Sequence, residues 1–244
     1  MPKNNNKAEA KTAQNPFAVV EAYNTIRTNL LFLLAQHKGK VITVSSANPG
    51  EGKSTTALNV ASSFSQLGGK TLLIDADLRK PIIHKKAHLH NTKGLSSVLV
   101  GFCKAEEAIS SINPFFDILT SGPTPPNPGE LLASNEFDEL MKALREQYDY
   151  IIVDTPPINI VSDPIVVAPR TDGVLLVVKD RKTYHEEFKK AVSSVEFTNV
   201  RILGAIINAL DVKNSKKYKY RYKYKNHYRY GSYEGNAYIN NNNK

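Results

Sequence analysis

The sequence predicts an α/β fold built on a doubly wound, mostly parallel sheet, and three observations carry that expectation. Six short runs, at 41–46, 70–76, 115–120, 150–154, 173–178 and 203–208, are dominated by apolar residues without polar alternation, as strands buried on both faces require. Helix-forming segments separate most of them, which is the strand–helix alternation of a parallel sheet. The first run leads straight into a glycine-bearing loop, ANPGEGKST at 47–55, at the strand end where sheets of this class bind ligands.

Residues 1–16 are a polar lead in which no folded element is expected. Across 17–35, Val20, Tyr23, Ile26, Leu30, Leu33 and Leu34 recur at near-helical spacing and predict an amphipathic helix. After Gly39 comes the strand at 41–46, then the loop. Ala57, Val60, Ala61, Phe64 and Leu67 mark one face of the next helix, which Gly68-Gly69 ends. The second strand is KTLLIDA at 70–76, and the third covers 115–120. A proline-rich turn, SGPTPPNPG, precedes a helix predicted over 130–147. YIIVD at 150–154, GVLLVV at 173–178 and LGAIIN at 203–208 complete the sheet. One domain is therefore expected over 17–212, which suits a chain of 244 residues.

Composition narrows the function. No apolar run approaches the roughly 18 residues of a membrane helix, and the N-terminus lacks the apolar stretch of a secretory signal. A cytoplasmic protein is expected. Cys103 is the single cysteine, so no intrachain disulfide can form, and it reads as an ordinary thiol. His84, His88 and His90 have no cysteine beside them and read as loop or helix-surface residues, not as zinc ligands. Residues 213–244 hold nine Lys or Arg and one acid, Glu234, so they carry +8 of the chain's net +9. The globular part is near neutral. A nucleic-acid reader is not expected, because the basicity belongs to a tail.

The loop at 47–55 has the spacing G-x-x-x-x-G-K-[ST], with Ala47 in place of the first glycine. In that pattern the backbone of Asn48, Pro49, Gly50, Glu51, Gly52, Lys53, Ser54 and Thr55 wraps a nucleotide's phosphates. Gly50 and Gly52 allow the bent backbone. Lys53 reaches the β- and γ-phosphates, and Ser54 offers a hydroxyl to Mg²⁺. The following helix N-terminus adds positive potential. Asp75 and Asp77 end the second strand and Asp154 ends the fourth. Asp154 suits the carboxylate that holds the metal's water shell, against the plainer reading of a strand-end turn. Two carboxylates flanking one Ala call for a cation. A kinase would also need a carboxylate near the incoming hydroxyl, and the sequence does not choose between Asp75 and Asp77.

Taken together, SSANPGEGKST, LLIDADLRKP, TSGPTPPNPGELL, YIIVDTPP and a tyrosine-rich C-terminus resemble the bacterial tyrosine kinases of capsule and exopolysaccharide operons, across roughly residues 17–238. The resemblance implies a P-loop fold of the partitioning-ATPase (ParA/MinD-like) group, with ATP and Mg²⁺ as cofactors. It implies that Lys53, Asp75, Asp77 and Asp154 are catalytic and that Ser54, Asp77 and Asp154 hold the metal. It places Arg79 near the active site and Asn208 where related ATPases contact adenine. It also implies autophosphorylation of the tail tyrosines Tyr218, Tyr220, Tyr222, Tyr224, Tyr228, Tyr230, Tyr233 and Tyr238. Expected partners are a membrane-anchored modulator, further copies of the chain in a ring, and sugar-nucleotide enzymes or glycosyltransferases as substrates. The expected place is the inner face of the membrane, reached through the modulator and the basic tail. The family's E-x-x-R-x-x-R ring helix is matched by Glu21 and Arg27, but Asn24 stands at the middle position.

Two other functions share these motifs. A partitioning-type ATPase switch has the same fold, but such proteins carry a lysine where this chain has Asn48. A nucleotide-binding scaffold without catalysis would keep the loop alone. Each phosphate adds about −1.5 to −2, so full modification of eight tyrosines would reverse the tail's charge.

Overall fold

The computed structural model describes residues 16–36 and 40–210. The tyrosine-rich tail at 213–244 and the lead through residue 15 lie outside the described residues. In chain order the elements are α1 (Pro16–Leu33), β1 (Lys40–Ser46), α2 (Lys53–Ser65), β2 (Thr71–Asp75), α3 (Ile83–Lys86), α4 (Leu95–Leu99), α5 (Ala105–Ala108), β3 (Ile109–Asn113), β4 (Phe116–Leu119), α6 (Pro128–Leu132), α7 (Asn135–Gln147), β5 (Tyr150–Asp154), α8 (Asp163–Val167), a 3₁₀ turn (Ala168–Arg170), β6 (Gly173–Lys179), α9 (His185–Glu196) and β7 (Ile202–Asn208). No helix among the described residues is long and apolar enough to cross a membrane.

The seven strands form one sheet in the order β3-β4-β2-β5-β1-β6-β7. Every pairing is parallel except the β3–β4 hairpin at one edge. Because side chains alternate along a strand, the central strands feed two cores. Val41, Leu72, Ile74, Ile151 and Val153 face Phe137, Leu140, Met141 and Leu144 of α7. Ile42, Val44, Leu73, Ile118 and Ile152 face Ala57, Val60, Ala61 and Phe64 of α2, with Leu30 of α1 behind them. Each large side chain buried there contributes roughly 1.5–3 kcal/mol. The sheet's C-terminal edge thus rests on a core packed from both sides.

Local differences from the sequence reading have physical causes. β3 is ISSIN, with a half-exposed and exposed burial pattern; an edge strand needs no continuous apolar run, so that signal was missing. The helix expected over 130–147 is two helices. Ser134 caps the second by accepting the Phe137 N–H at 3.4 Å, the role for which serine is favoured. Leu67 falls beyond the end of α2 and is 52% exposed, so it does not extend that helix's buried face. β7, at the other edge, buries only Leu203 fully, its other residues being half-buried or exposed.

Candidate active site

β1 delivers the chain into the loop, and α2 begins at Lys53 directly behind it. Gly50 (φ 77°) and Gly52 (φ 97°) are left-handed, the conformation that costs glycine least. Gly52 has a second constraint, since a Cβ there would lie 2.0 Å from Asn208 Nδ2. Asn208 ends β7 and is tied to the loop. Its Nδ2 donates to the Glu51 carbonyl at 2.9 Å, and its Oδ1 accepts the Ala209 N–H at 2.7 Å.

The strand order puts β5 between β2 and β1. The parallel register pairs Asp75 directly with Asp154. Lys53 projects into this acidic edge. Its ammonium donates to Asp77 Oδ2 at 2.8 Å and to Ser54 Oγ at 3.1 Å, and it lies 3.5 Å from Asp154 Oδ2. Asp154 is fully buried, and neither of its carboxylate oxygens has a hydrogen-bond partner. Burial pushes its carboxyl up to about 6, against the pull of the Lys53 charge. Burial, then the neighbouring Asp154 charge, pushes Asp75 up to about 8. Burial lowers the Lys53 ammonium, but Asp154 and Asp77 outweigh it, and the net shift is upward.

The two aspartates of the LLIDAD segment play different parts. Asp75 is fully buried, and its oxygens accept the N–H groups of Asp77 (3.2 Å) and Ile83 (3.1 Å). It therefore folds the loop that follows β2. Asp77 lines an open cavity of about 420 Å³ together with Lys53, Ser54 and Thr55. Pro49, Gly50 and Gly52 also line it. Arg79, Lys80, Ile82 and Lys86 form a second wall, and Pro156, Pro157, Ile160 and Val161 a third. Asn208 and Glu51 are not in the lining. They stand behind the loop.

The cradle suits a nucleotide and magnesium. No group of three or more His, Cys, Asp or Glu among the described residues forms a metal cage. A hydrated magnesium needs none, because it keeps several waters and is held by substrate phosphates with one or two protein oxygens. The Ser54 hydroxyl and the unpartnered oxygens of Asp154 are oxygens of that kind.

Asp163 was not singled out in the sequence. It is fully buried at the start of α8 and accepts from Arg79 Nε (2.7 Å) and Nη2 (3.0 Å). This bidentate pair ties the 77–86 wall to the segment bearing Ile160 and Val161. Asp163→Asn is expected to cost about 1–3 kcal/mol of stability and roughly tenfold in phosphotransfer rate, because a charged bidentate pair is replaced by a weaker one. Thermal melts and initial rates check this; unchanged values for both would contradict it. At the other end of the domain, Arg27 donates to the Ser63 carbonyl and Glu21 accepts from Asn24. The residues expected at a ring contact are thus engaged within the chain.

Comparison with known proteins bears on this geometry. A family described as an AAA domain matches residues 39–196. Tyrosine-protein kinase YwqD of Bacillus subtilis (strain 168) is 45% identical over 201 residues, covering 82% of this chain and 85% of that protein. Among solved structures, the chimerical protein CapA2B2 matches with a TM-score of 0.76 at 37% identity, covering 82% of this chain and 88% of that one. The kinase domain of Escherichia coli tyrosine kinase ETK matches with a TM-score of 0.75 at 34% identity, covering 78% and 75%.

Proposed function

The chain belongs to the bacterial tyrosine-protein kinases, and from that premise we propose that it transfers the γ-phosphoryl group of Mg·ATP to the tyrosines of its own C-terminal segment in a neighbouring copy. The observation that carries this reading is the contact of Lys53 with Asp77 at the floor of the cavity. An ammonium held by a carboxylate is a placeholder for a phosphate. When a triphosphate enters, Lys53 exchanges Asp77 for phosphate oxygens, and Asp77 becomes free to accept a tyrosine hydroxyl.

The acceptor oxygen then forms its bond to the γ-phosphorus while the bond to the ADP oxygen breaks. Asp77 orients the hydroxyl and takes its proton. Ser54 and Asp154 would hold magnesium, which would supply positive charge to the leaving phosphates. Asp75 keeps Asp77 in place through the loop backbone. Arg79, Lys80 and Lys86 give the mouth a basic edge, and Ile82 and Ile160, 41% and 59% exposed, provide apolar surface where a phenol ring can rest.

The wider setting belongs to the same proposal. A membrane modulator's cytoplasmic end activates the chain, copies assemble through α1, and the outcome regulates polysaccharide synthesis and export. Mixing two full-length forms tests the transfer between copies. One carries Lys53→Met with all tail tyrosines; the other has an intact loop with the eight tail tyrosines changed to Phe. With labelled Mg·ATP and the modulator segment present, label is expected on tyrosines of the Lys53→Met form. Free phosphate without phosphotyrosine would mark a plain ATPase and reject the reading.

A further inference from the structure

We infer that Thr183, in the turn between β6 and α9, is a positioning residue for nucleotide binding, acting through the carboxylate of Glu51. The inference rests on the kinase reading for its ligand, Mg·ATP.

Glu51 sits at the crest of the loop, yet its residue is only 4% exposed. Its side chain is directed away from the cavity. Oε1 accepts the Thr183 hydroxyl at 2.5 Å, and Oε2 accepts the Asn48 N–H at 3.0 Å. The Thr183 hydroxyl is itself held, accepting the Lys179 N–H at 2.8 Å. A nearly buried carboxylate normally requires a cation or several donors. Here the hydroxyl of a distant turn, 132 residues along the chain, is one of two donors. Two further bonds tie the loop to the ends of β6 and β7. Asn208 donates to the Glu51 carbonyl, and Lys179 Nζ donates to the Gly50 carbonyl at 3.4 Å.

The physical effect is on the loop's shape. The phosphate cradle depends on the N–H groups of 50–54, and two left-handed glycines make that stretch soft. Bonding the Glu51 side chain to Asn48 N–H closes the loop on itself. Bonding it to Thr183 fixes the closed loop to the sheet. Without the Thr183 hydroxyl, Glu51 Oε1 is buried with no donor, and the carboxylate must turn outward to water and take the Asn48 end of the loop with it. The cradle is then no longer preorganised, and binding has to order it first. Because the same loop is ordered once nucleotide is bound, the loss falls on affinity and not on the chemical step.

The test uses the full chain and a fluorescent ATP analogue with Mg²⁺, alongside steady-state phosphotransfer. Thr183→Val keeps the side-chain shape and removes the hydroxyl. It is expected to raise KM and the analogue's Kd about tenfold with kcat within about twofold. Thr183→Ser restores the hydroxyl and is expected to stay within about twofold of the parent in both. Glu51→Gln is expected to weaken binding as well, and the Thr183→Val/Glu51→Gln double change to cost no more than the worse single change, since both break one link. A Thr183→Val form that binds like the parent, a serine form as impaired as valine, or strictly additive losses would each overturn the inference. Failure of the parent to bind the analogue would instead reject the kinase reading beneath it.

Discussion

Lys53→Met is expected to lower phosphotyrosine formation by at least about a thousandfold, the scale on which removal of a charge that stabilises the transferring group acts. The structure adds a second consequence that a loop-only view would not. Lys53 is the cation of the Asp77 and Asp154 contacts, and its side chain is 12% exposed. Removing it leaves buried carboxylates without their partner, a change that costs on the order of 3 kcal/mol. The nucleotide-free Met form should therefore melt several degrees below the parent at pH 8. Its deficit should shrink as the pH falls, because the carboxyls regain neutrality by binding protons. Activity stays absent at every pH. A Met form that melts with the parent at pH 8 would show that the Lys53 contacts do not hold the empty site together.

Asp154→Asn is expected to move activity and stability in opposite directions. Asp154 is fully buried, its oxygens accept no hydrogen bond, and the Lys53 ammonium 3.5 Å away only partly offsets the burial, so without nucleotide its charge costs stability. Burial lifts its folded pKa from the ordinary carboxyl range to about 6. A raised acid binds its proton more tightly folded than unfolded, so the parent loses stability as pH climbs through that window. Asparagine carries no such charge. At pH 8 the variant should gain on the order of 2 kcal/mol without nucleotide, and the gain should fade as pH falls from about 6 toward 4. Phosphotransfer should drop roughly a hundredfold or more, because the oxygen proposed to hold the metal is lost. Thermal melts across pH and transfer rates at saturating Mg·ATP check both halves. Loss of stability at pH 8 would contradict the argument.

Much of this site is legible in the sequence, for a definite reason. The loop at 47–55, Asp77 and Asp154 all follow strands whose apolar runs are unmistakable, and parallel strands must present their C-terminal tips on one edge. The LLIDAD pair is legible as a pair, but its division of labour is not. Asp75 turns to the Asp77 and Ile83 N–H groups, and no spacing rule tells which of two aspartates faces inward. Asp163 and Thr183 are invisible because their partners, Arg79 and Glu51, lie far off in sequence. Edge strand β3 is invisible because ISSIN is partly polar. The amide of Asn208, the residue expected near adenine, bonds backbone groups at both ends, contacts that no sequence spacing announces.

The register of β2 against β5 has one more consequence. Asp75 and Asp154 face each other only when the strands align as Thr71↔Tyr150 through Asp75↔Asp154. A slip of one residue would bring Val153 or Thr155 opposite Asp75 and turn every apolar side chain to the wrong layer. Affinity for Mg·ATP is thus a gauge of correct strand alignment. Nucleotide added during refolding should draw chains toward the aligned sheet by mass action, making the ligand a proofreader of the fold that binds it.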